Sequence, residues 1–426
     1  MTYNYLLDLA LILLSTKVLG LLVKRFQMPQ VVGALLAGLI LGPAVFDILQ
    51  ETDFIAKMAE LGVIVIMFTA GMDTNIRELK QTGKSGFIVA LLGVLIPLIM
   101  GTGLMYLFNK GESENVLLQN VFIGIVLTAT SVSITVETLK ELGKLSTKVG
   151  NTILAASLID DILGLIALTI VTSMVGSEVS IIGVLIKIVL FFVFAAIAGY
   201  LFYRILKWCT NQVDDKNLHR FPIAAFVICL IMAYSAEHFF GVADIIGAFI
   251  AGLVIANTSK SKYIASKFNP LSYLLLSPIF FASIGIKVII PSMDWTFVLF
   301  SILLILVAIF SKLIGCGIGG KFCGFNNKES MQVGFGMACR GEVALIVANK
   351  GVAMGLMDEK YFGPVIVMVV FAAIFTPIIL KIVFKSKDDF KDDFHQSDLI
   401  DSYDKVGKMD KLQHKLLDTQ KIKLNN

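Results

Sequence analysis

The chain has 426 residues, of which 57% are hydrophobic and only 16% charged, and its formal net charge is +4. Apolar runs of about 20 residues recur along it, each able to cross a hydrocarbon core of ~30 Å, so the sequence reads as an all-α polytopic membrane protein. Its basic residues are scattered over short loops instead of forming a stripe, which argues against nucleic-acid binding; Cys209, Cys229, Cys316, Cys323 and Cys339 show no paired spacing or C-x-x-C, so neither a disulfide framework nor a structural zinc site is implied.

The hydropathy pattern predicts thirteen spans, at about 4–23, 28–46, 54–72, 86–108, 115–137, 148–175, 178–206, 220–240, 242–257, 268–290, 295–319, 330–350 and 361–384. The first lacks a basic leader and is too long for a signal-peptide core, so it reads as a spanning helix. Lys and Arg alternate by loop: Lys24/Arg25, Arg77/Lys80/Lys84, Lys140/Lys144/Lys148, Arg204/Lys207/Lys216/Arg220, Lys260/Lys262/Lys267 and Lys321/Lys328 occupy the odd connections. Even connections hold at most Lys57, Lys110, Lys287, or Lys350 with Lys360. The positive-inside rule then places the N-terminus outside and the C-terminus in the cytoplasm of a bacterial-type plasma membrane.

Spans 2 and 9 share a motif. Gly33-Ala34-Leu35-Leu36-Ala37-Gly38-Leu39 reappears as Gly247-Ala248-Phe249-Ile250-Ala251-Gly252-Leu253, at an offset of 214 residues that also carries Gly71 of span 3 onto Gly285 of span 10. Each match steps seven spans, an odd number, so the copies enter the membrane in opposite directions. An inverted repeat of about 5–175 and 220–384 is expected, within a transmembrane domain 1–384, with the site at the midplane between helices broken at equivalent places. The competing reading is a generic small-residue packing face.

Span 5 carries Thr128, Thr130, Ser131 and Ser133, whose hydroxyls can bend a helix or offer oxygen ligands. Span 6 holds Asp160 and Asp161 about 17 Å along the helix from Val149, near the midplane, where insertion scales charge about 2.5 to 3.5 kcal/mol for each ionised Asp. Such a pair requires a partner, water, a proton or a bound cation. Span 11 contains Lys312, about 13 Å of helix from the polar end at Lys321, too deep for its stem to snorkel the whole way. Adjacent Asp residues lie about 100° apart on a helix, so one can face Lys312 while the other faces a water-filled cavity. Span 12 surrounds Arg340 and Glu342 with glycines; two residues apart on a helix they cannot pair with each other and need outside partners. From 385 to 426 a charged tail, with Asp388-Asp389 and Asp392-Asp393, reads as a solvated or membrane-surface segment too short for a nucleotide-binding domain.

Two close carboxylates raise each other's proton affinity, and Asp160, Asp161, Thr130 and Ser131 offer the oxygen ligands that small hard cations take. Competition of a proton and a monovalent cation for one site gives exchange; a structural ion-pair network and a cation channel with the same lining remain the alternatives. Gly315-Cys316-Gly317-Ile318-Gly319-Gly320 follows no strand and reads as close helix packing, not a nucleotide loop. His238 and Glu237 read as interfacial groups, and no Ser-His-Asp set or metal-binding His pair is present, so no enzyme is expected.

Thr128-Ala129-Thr130-Ser131-Val132, Ile159-Asp160-Asp161, Lys312 and Arg340-Gly341-Glu342, in that order and spacing, resemble the monovalent cation/proton antiporter superfamily, most closely the bacterial NapA-like and Kef-like antiporters, over about residues 5 to 384. The resemblance implies the NhaA-like fold: two broken helices crossing, a core domain that moves in an elevator-like step, and a dimerisation domain, hence a homodimer. It implies Asp161 as the main ion-binding and proton-carrying group, Asp160 as partner of Lys312 in one state and cation ligand in another, Thr130 and Ser131 beside the ion, and Arg340 with Glu342 stabilising the crossover. No cofactor is implied; the cargo is a proton and Na+, with K+ or Li+ left open. Asp-Asp with an intramembrane lysine resembles the electrogenic sodium class, whereas potassium-efflux relatives tend to carry Gln-Asp and an added nucleotide-binding domain.

Overall fold

A computed structural model of the chain describes residues 4–26, 28–109, 116–174, 180–212 (side chains to 206), 220–289 and 294–385. The charged tail beyond Lys385 therefore lies outside the described residues. Among those described, the structure is helical throughout, without strands. Nine segments are long and apolar enough to cross a bilayer, and Gln30–Leu41, Val116–Val126 and Asp244–Ala256 are shorter apolar helices. The protein is a multi-pass membrane protein.

The first helices are α1 (Asn4–Arg25), α2 (Gln30–Leu41) and α3 (Asp53–Met72). The sequence predicts span 2 to run to about 46, but α2 stops at Leu41 because Gly42 precedes Pro43, whose ring disfavours helical backbone in the residue before it. Thr52 starts α3 by accepting the Ile55 N–H. Next come α4 (Ile76–Phe108), α5 (Val116–Val126), α6 (Val132–Glu141), α7 (Lys148–Met174) and α8 (Ile181–Gln212). The second half holds α9 (Arg220–Phe240), α10 (Asp244–Ala256), α11 (Ser261–Leu271), a π turn over Ser272–Leu276, and α12 (Ser277–Ile286). Pro270 removes a backbone donor just ahead of the π turn, where the Ser272 and Ser277 hydroxyls meet at 3.1 Å. The chain ends with α13 (Trp295–Phe322), α14 (Asn327–Gly336), α15 (Glu342–Ala353), a 3₁₀ turn at Glu359–Tyr361 and α16 (Phe362–Phe384).

The helices sort into two bundles by what they pack on. In the first, α2 lies on α1 and α12, while α3 lies on α10 and α12, with α9 against α10. In the second, α4 and α13 pack on each other and gather α5, α7, α14 and α16, with α6 against α7 and α16 and α15 against α5 and α16. The bundles meet where α2 and α3 touch α6 and where α2 touches α16. Val31, Leu35, Val63, Ile66, Ile134, Phe280 and Ala373 form an apolar seam there.

Close approach in the first bundle depends on the repeated glycines. A Cβ on Gly38 would lie 1.9 Å from the Ala282 carbonyl oxygen, and one on Gly252 would lie 2.2 Å from that of Phe68. Phe68 and Ala282 are themselves related by the offset of 214 residues, so the copy in α2 packs on α12 and the copy in α10 packs on α3.

Candidate ion-binding site at a helix crossover

Two helices are interrupted in mid-course, between α5 and α6 and between α14 and α15. The two breaks touch: the Ser131 N–H donates to the Cys339 carbonyl at 3.0 Å, and the Thr135 hydroxyl to the Gly336 carbonyl at 2.9 Å. Gly341 permits the contact, since a Cβ there would fall 2.7 Å from the Ser131 Oγ. Backbone groups freed by the breaks are thus partly satisfied by the opposite strand, the condition for irregular backbone inside a membrane protein.

The α7 carboxylates stand beside this crossover in unequal settings. Asp160 is buried; its Oδ1 accepts from the Lys312 ammonium at 2.7 Å and its Oδ2 from the Thr130 hydroxyl at 2.7 Å. Both charged side chains are essentially sealed from solvent, at 1% and 0% exposure. Asp161 is half-buried, and its Oδ2 has no hydrogen-bond partner among the described residues. One carboxylate is therefore committed and its neighbour is not.

Arg340 is fully buried at the second break. It donates to the Ala308 carbonyl at 3.2 Å and to the Thr130 hydroxyl oxygen at 3.5 Å, so a line of donors runs from Arg340 through Thr130 to Asp160. Glu342 opens α15 immediately after the break, and the charged groups that act on it most are Lys287, Glu60 and Glu51 of the first bundle. Ser131 lies at the crossing, with its Oγ 3.5 Å from that of Ser133.

Residues 10–386 match the family described as sodium/hydrogen exchanger, transmembrane. The Na(+)/H(+)-K(+) antiporter GerN of Bacillus cereus is 36% identical over 381 residues, covering 88% of this chain and 95% of its own length. The chain belongs to the transmembrane sodium/hydrogen exchanger family. It is also similar to the Na(+)/H(+) antiporter of Enterococcus hirae, 36% identical over 375 residues, 86% of this chain and 94% of that one. The sodium proton antiporter MjNhaP1 from Methanocaldococcus jannaschii has a similar fold, with TM-score 0.62 at 19% identity over 88% of this chain and 94% of its own.

In this family member, two residues near the pair carry no charge and gave no sequence signal. Gly93 on α4 faces it: a Cβ there would sit 2.6 Å from Cys316 Sγ, 3.6 Å from Lys312 Nζ and 3.7 Å from Asp160 Oδ1. Cys316, one helical turn beyond Lys312, fills the other side of that narrow space. Ser157 did have a signal, its place four residues before Asp161 on one helix face. Its hydroxyl donates to the Ile153 carbonyl and lies 3.2 Å from Met337 Sδ at the start of the second break.

Proposed function

We propose that the protein is a secondary active exchanger of a monovalent cation, Na+ before K+, against protons, with Asp161 as the carrier. The observation that supports this reading is the inequality of the pair: Asp160 has both oxygens engaged, while Asp161 keeps a buried oxygen unpartnered. A buried, unsatisfied carboxylate oxygen is costly, and either a proton or a small hard cation can relieve that cost.

The exchange follows from charge balance. With Lys312 protonated and paired to Asp160, a proton on Asp161 leaves the trio neutral. When a cation arrives, Asp161 gives up its proton, Lys312 releases Asp160 and loses its own, and both carboxylates turn to the cation, with Thr130 and Ser131 as further oxygen donors. Two protons leave for one cation, so one net charge crosses per cycle. Arg340 holds Thr130, and so Asp160, against the crossover. Glu342, in the first turn of α15, is the second charge at the crossover, at the positive end of that half-helix. Thirteen passes, an inverted repeat about 5–175 and 220–384, a cytoplasmic C-terminus, a second bundle that moves against the first and a homodimer complete the proposal.

The test is exchange in proteoliposomes. Addition of Na+ should relax an imposed pH gradient, K+ and Li+ being run alongside because one relative is named a Na(+)/H(+)-K(+) antiporter. Asp161→Asn should abolish the response. A fully active Asp161→Asn protein would falsify the assignment of the carrier.

A further inference from the structure

The start of α2 has no cap of its own. Pro29 precedes it and provides no side-chain acceptor, leaving the first amide donors of the helix open. The missing acceptor comes from the other bundle: the Gln30 N–H donates to both carboxylate oxygens of Glu141, the last residue of α6, each at 2.9 Å. A negative charge at that point also meets the positive end of the helix dipole. Around Glu141 the charged groups are Glu137 on its own helix and Lys24 at the end of α1. Its neighbour Lys140 makes a second tie, 3.1 Å from Asp73 Oδ2 beyond α3 and donating to Asn269 Oδ1 on α11 at 3.1 Å. Tyr273 braces the cap from behind, donating to the Gln30 side-chain oxygen at 3.0 Å.

The opposite end of the same seam is built the other way. Glu342 from the second bundle faces Glu60 and Glu51 of the first, with Lys287, and Asp244 faces Glu237, Glu60 and Glu342. Lys287 ties back to Glu51 of its own bundle at 3.3 Å, so this end is acidic on both sides of the seam. A cavity of about 230 Å³ lies there between α16 and the first bundle, lined by Leu39, Val288, Ile366 and Val370 among others. Exposure along α7 has the same polarity: Val149 to Ser157, at the lysine-rich end, are buried, whereas Leu158 and Ile159 and then Asp161 to Ala167 are partly exposed.

We propose that Glu141 and Lys140 form a latch that keeps the two bundles shut at the lysine-rich end, and that release of Glu141 from the start of α2 opens this face of the site. Glu141 is a positioning residue: it touches neither the carboxylate pair nor the cation, and it sets which end of the seam is closed. Its meaning as an access step rests on the exchange reading, so the experiment reads the seam and not the flux.

Ala34, buried in the seam one turn beyond Gln30, is the reporter position. The full-length protein carrying Ala34→Cys is labelled with N-ethylmaleimide in detergent micelles, and the rate at position 34 is followed by peptide mass, with the buried native Cys229 on α9, away from the seam and the carboxylate pair, as internal reference. Adding Glu141→Ala should raise that rate about fivefold, by loss of the cap, with Cys229 unchanged. Glu141→Asp should restore nearly the parent rate, and Lys140→Met should give a smaller rise. The latch is refuted if Glu141→Ala leaves position 34 unchanged, or if Cys229 rises in parallel with it. If position 34 responds while the parent protein carries no cation flux, the latch stands and the exchange reading falls.

Discussion

A buried carboxylate that loses its lysine has no solvent to receive its charge. Lys312→Ala leaves Asp160 with the Thr130 hydroxyl, at 2.7 Å, as its one hydrogen-bond donor among the described residues, in a site sealed from water, and should destabilise the protein by about 3–5 kcal/mol. Removing both charges at once, as in Asp160→Asn with Lys312→Met, should recover most of that loss, although exchange stays well below that of the wild type. Thermal unfolding in detergent separates the two variants, and a double variant as unstable as Lys312→Ala would mean that the pair is not the coupled unit described. Gly93 gives a second residue-scale expectation. Gly93→Ala puts a Cβ 2.6 Å from Cys316 Sγ, an overpacking that costs about 1–3 kcal/mol and presses on the ion pair. Cys316→Ala removes the obstructing sulfur and should rescue both stability and exchange.

These residues also mark where sequence reasoning reaches and where it ends. Asp160, Asp161, Lys312 and Arg340 are legible because charge inside an apolar span is expensive and therefore rare; few positions compete for the role. Gly93 and Cys316 are small residues among many, and nothing in their spacing says which of the 35 glycines faces a charge. Glu342 shows the opposite limit. Its neighbour Arg340 lies at the crossover, but the break between α14 and α15 turns the chain, so two residues later the side chain faces Glu60 and Lys287.

At the scale of elements, the repeated glycines permit a contrast within one residue type. Gly38 and Gly252 each abut a carbonyl oxygen of a neighbouring helix, at 1.9 and 2.2 Å from the missing Cβ, and backbone cannot yield as a side-chain tip can. Gly38→Ala and Gly252→Ala should both lower the yield of monodisperse protein, to similar extents because their settings match. Gly103 on α4 has open space around its missing Cβ, so Gly103→Ala should leave yield intact and raise stability by about 0.5–1 kcal/mol through helix propensity. Size-exclusion profiles and unfolding temperatures rank the three. The motif was visible in the sequence, but its partners were not: a small-residue face says that something packs closely, not which helix does. Helix ends followed the same rule. The start of span 6 is legible at Lys148 because a long apolar run follows it, whereas the π turn after Pro270 and the early end of α2 depend on local backbone chemistry that hydropathy averages away.

For the whole molecule, the arrangement of charge makes a quantitative demand on exchange. If protons and the cation compete for one site, the cation concentration for half-maximal exchange must rise as pH falls. Over the range where the site binds protons, one competing proton gives about a tenfold rise per pH unit and two give about a hundredfold. The proposed cycle assigns one proton to Asp161 and the second to Lys312, so the wild-type slope should approach two. The same stoichiometry moves one net charge, which couples each turnover to about 2.3 kcal/mol per 100 mV. A diffusion potential imposed on proteoliposomes should therefore change the rate of exchange. Both signatures depend on Lys312, and conservative loss of its charge in a folded Lys312→Met, Asp160→Asn background with any residual exchange should lower the slope toward one and remove the voltage response together. Voltage sensitivity that survives in that background would separate the second proton from Lys312 and place it on another group, leaving Asp161 as carrier but the ion pair as a structural support.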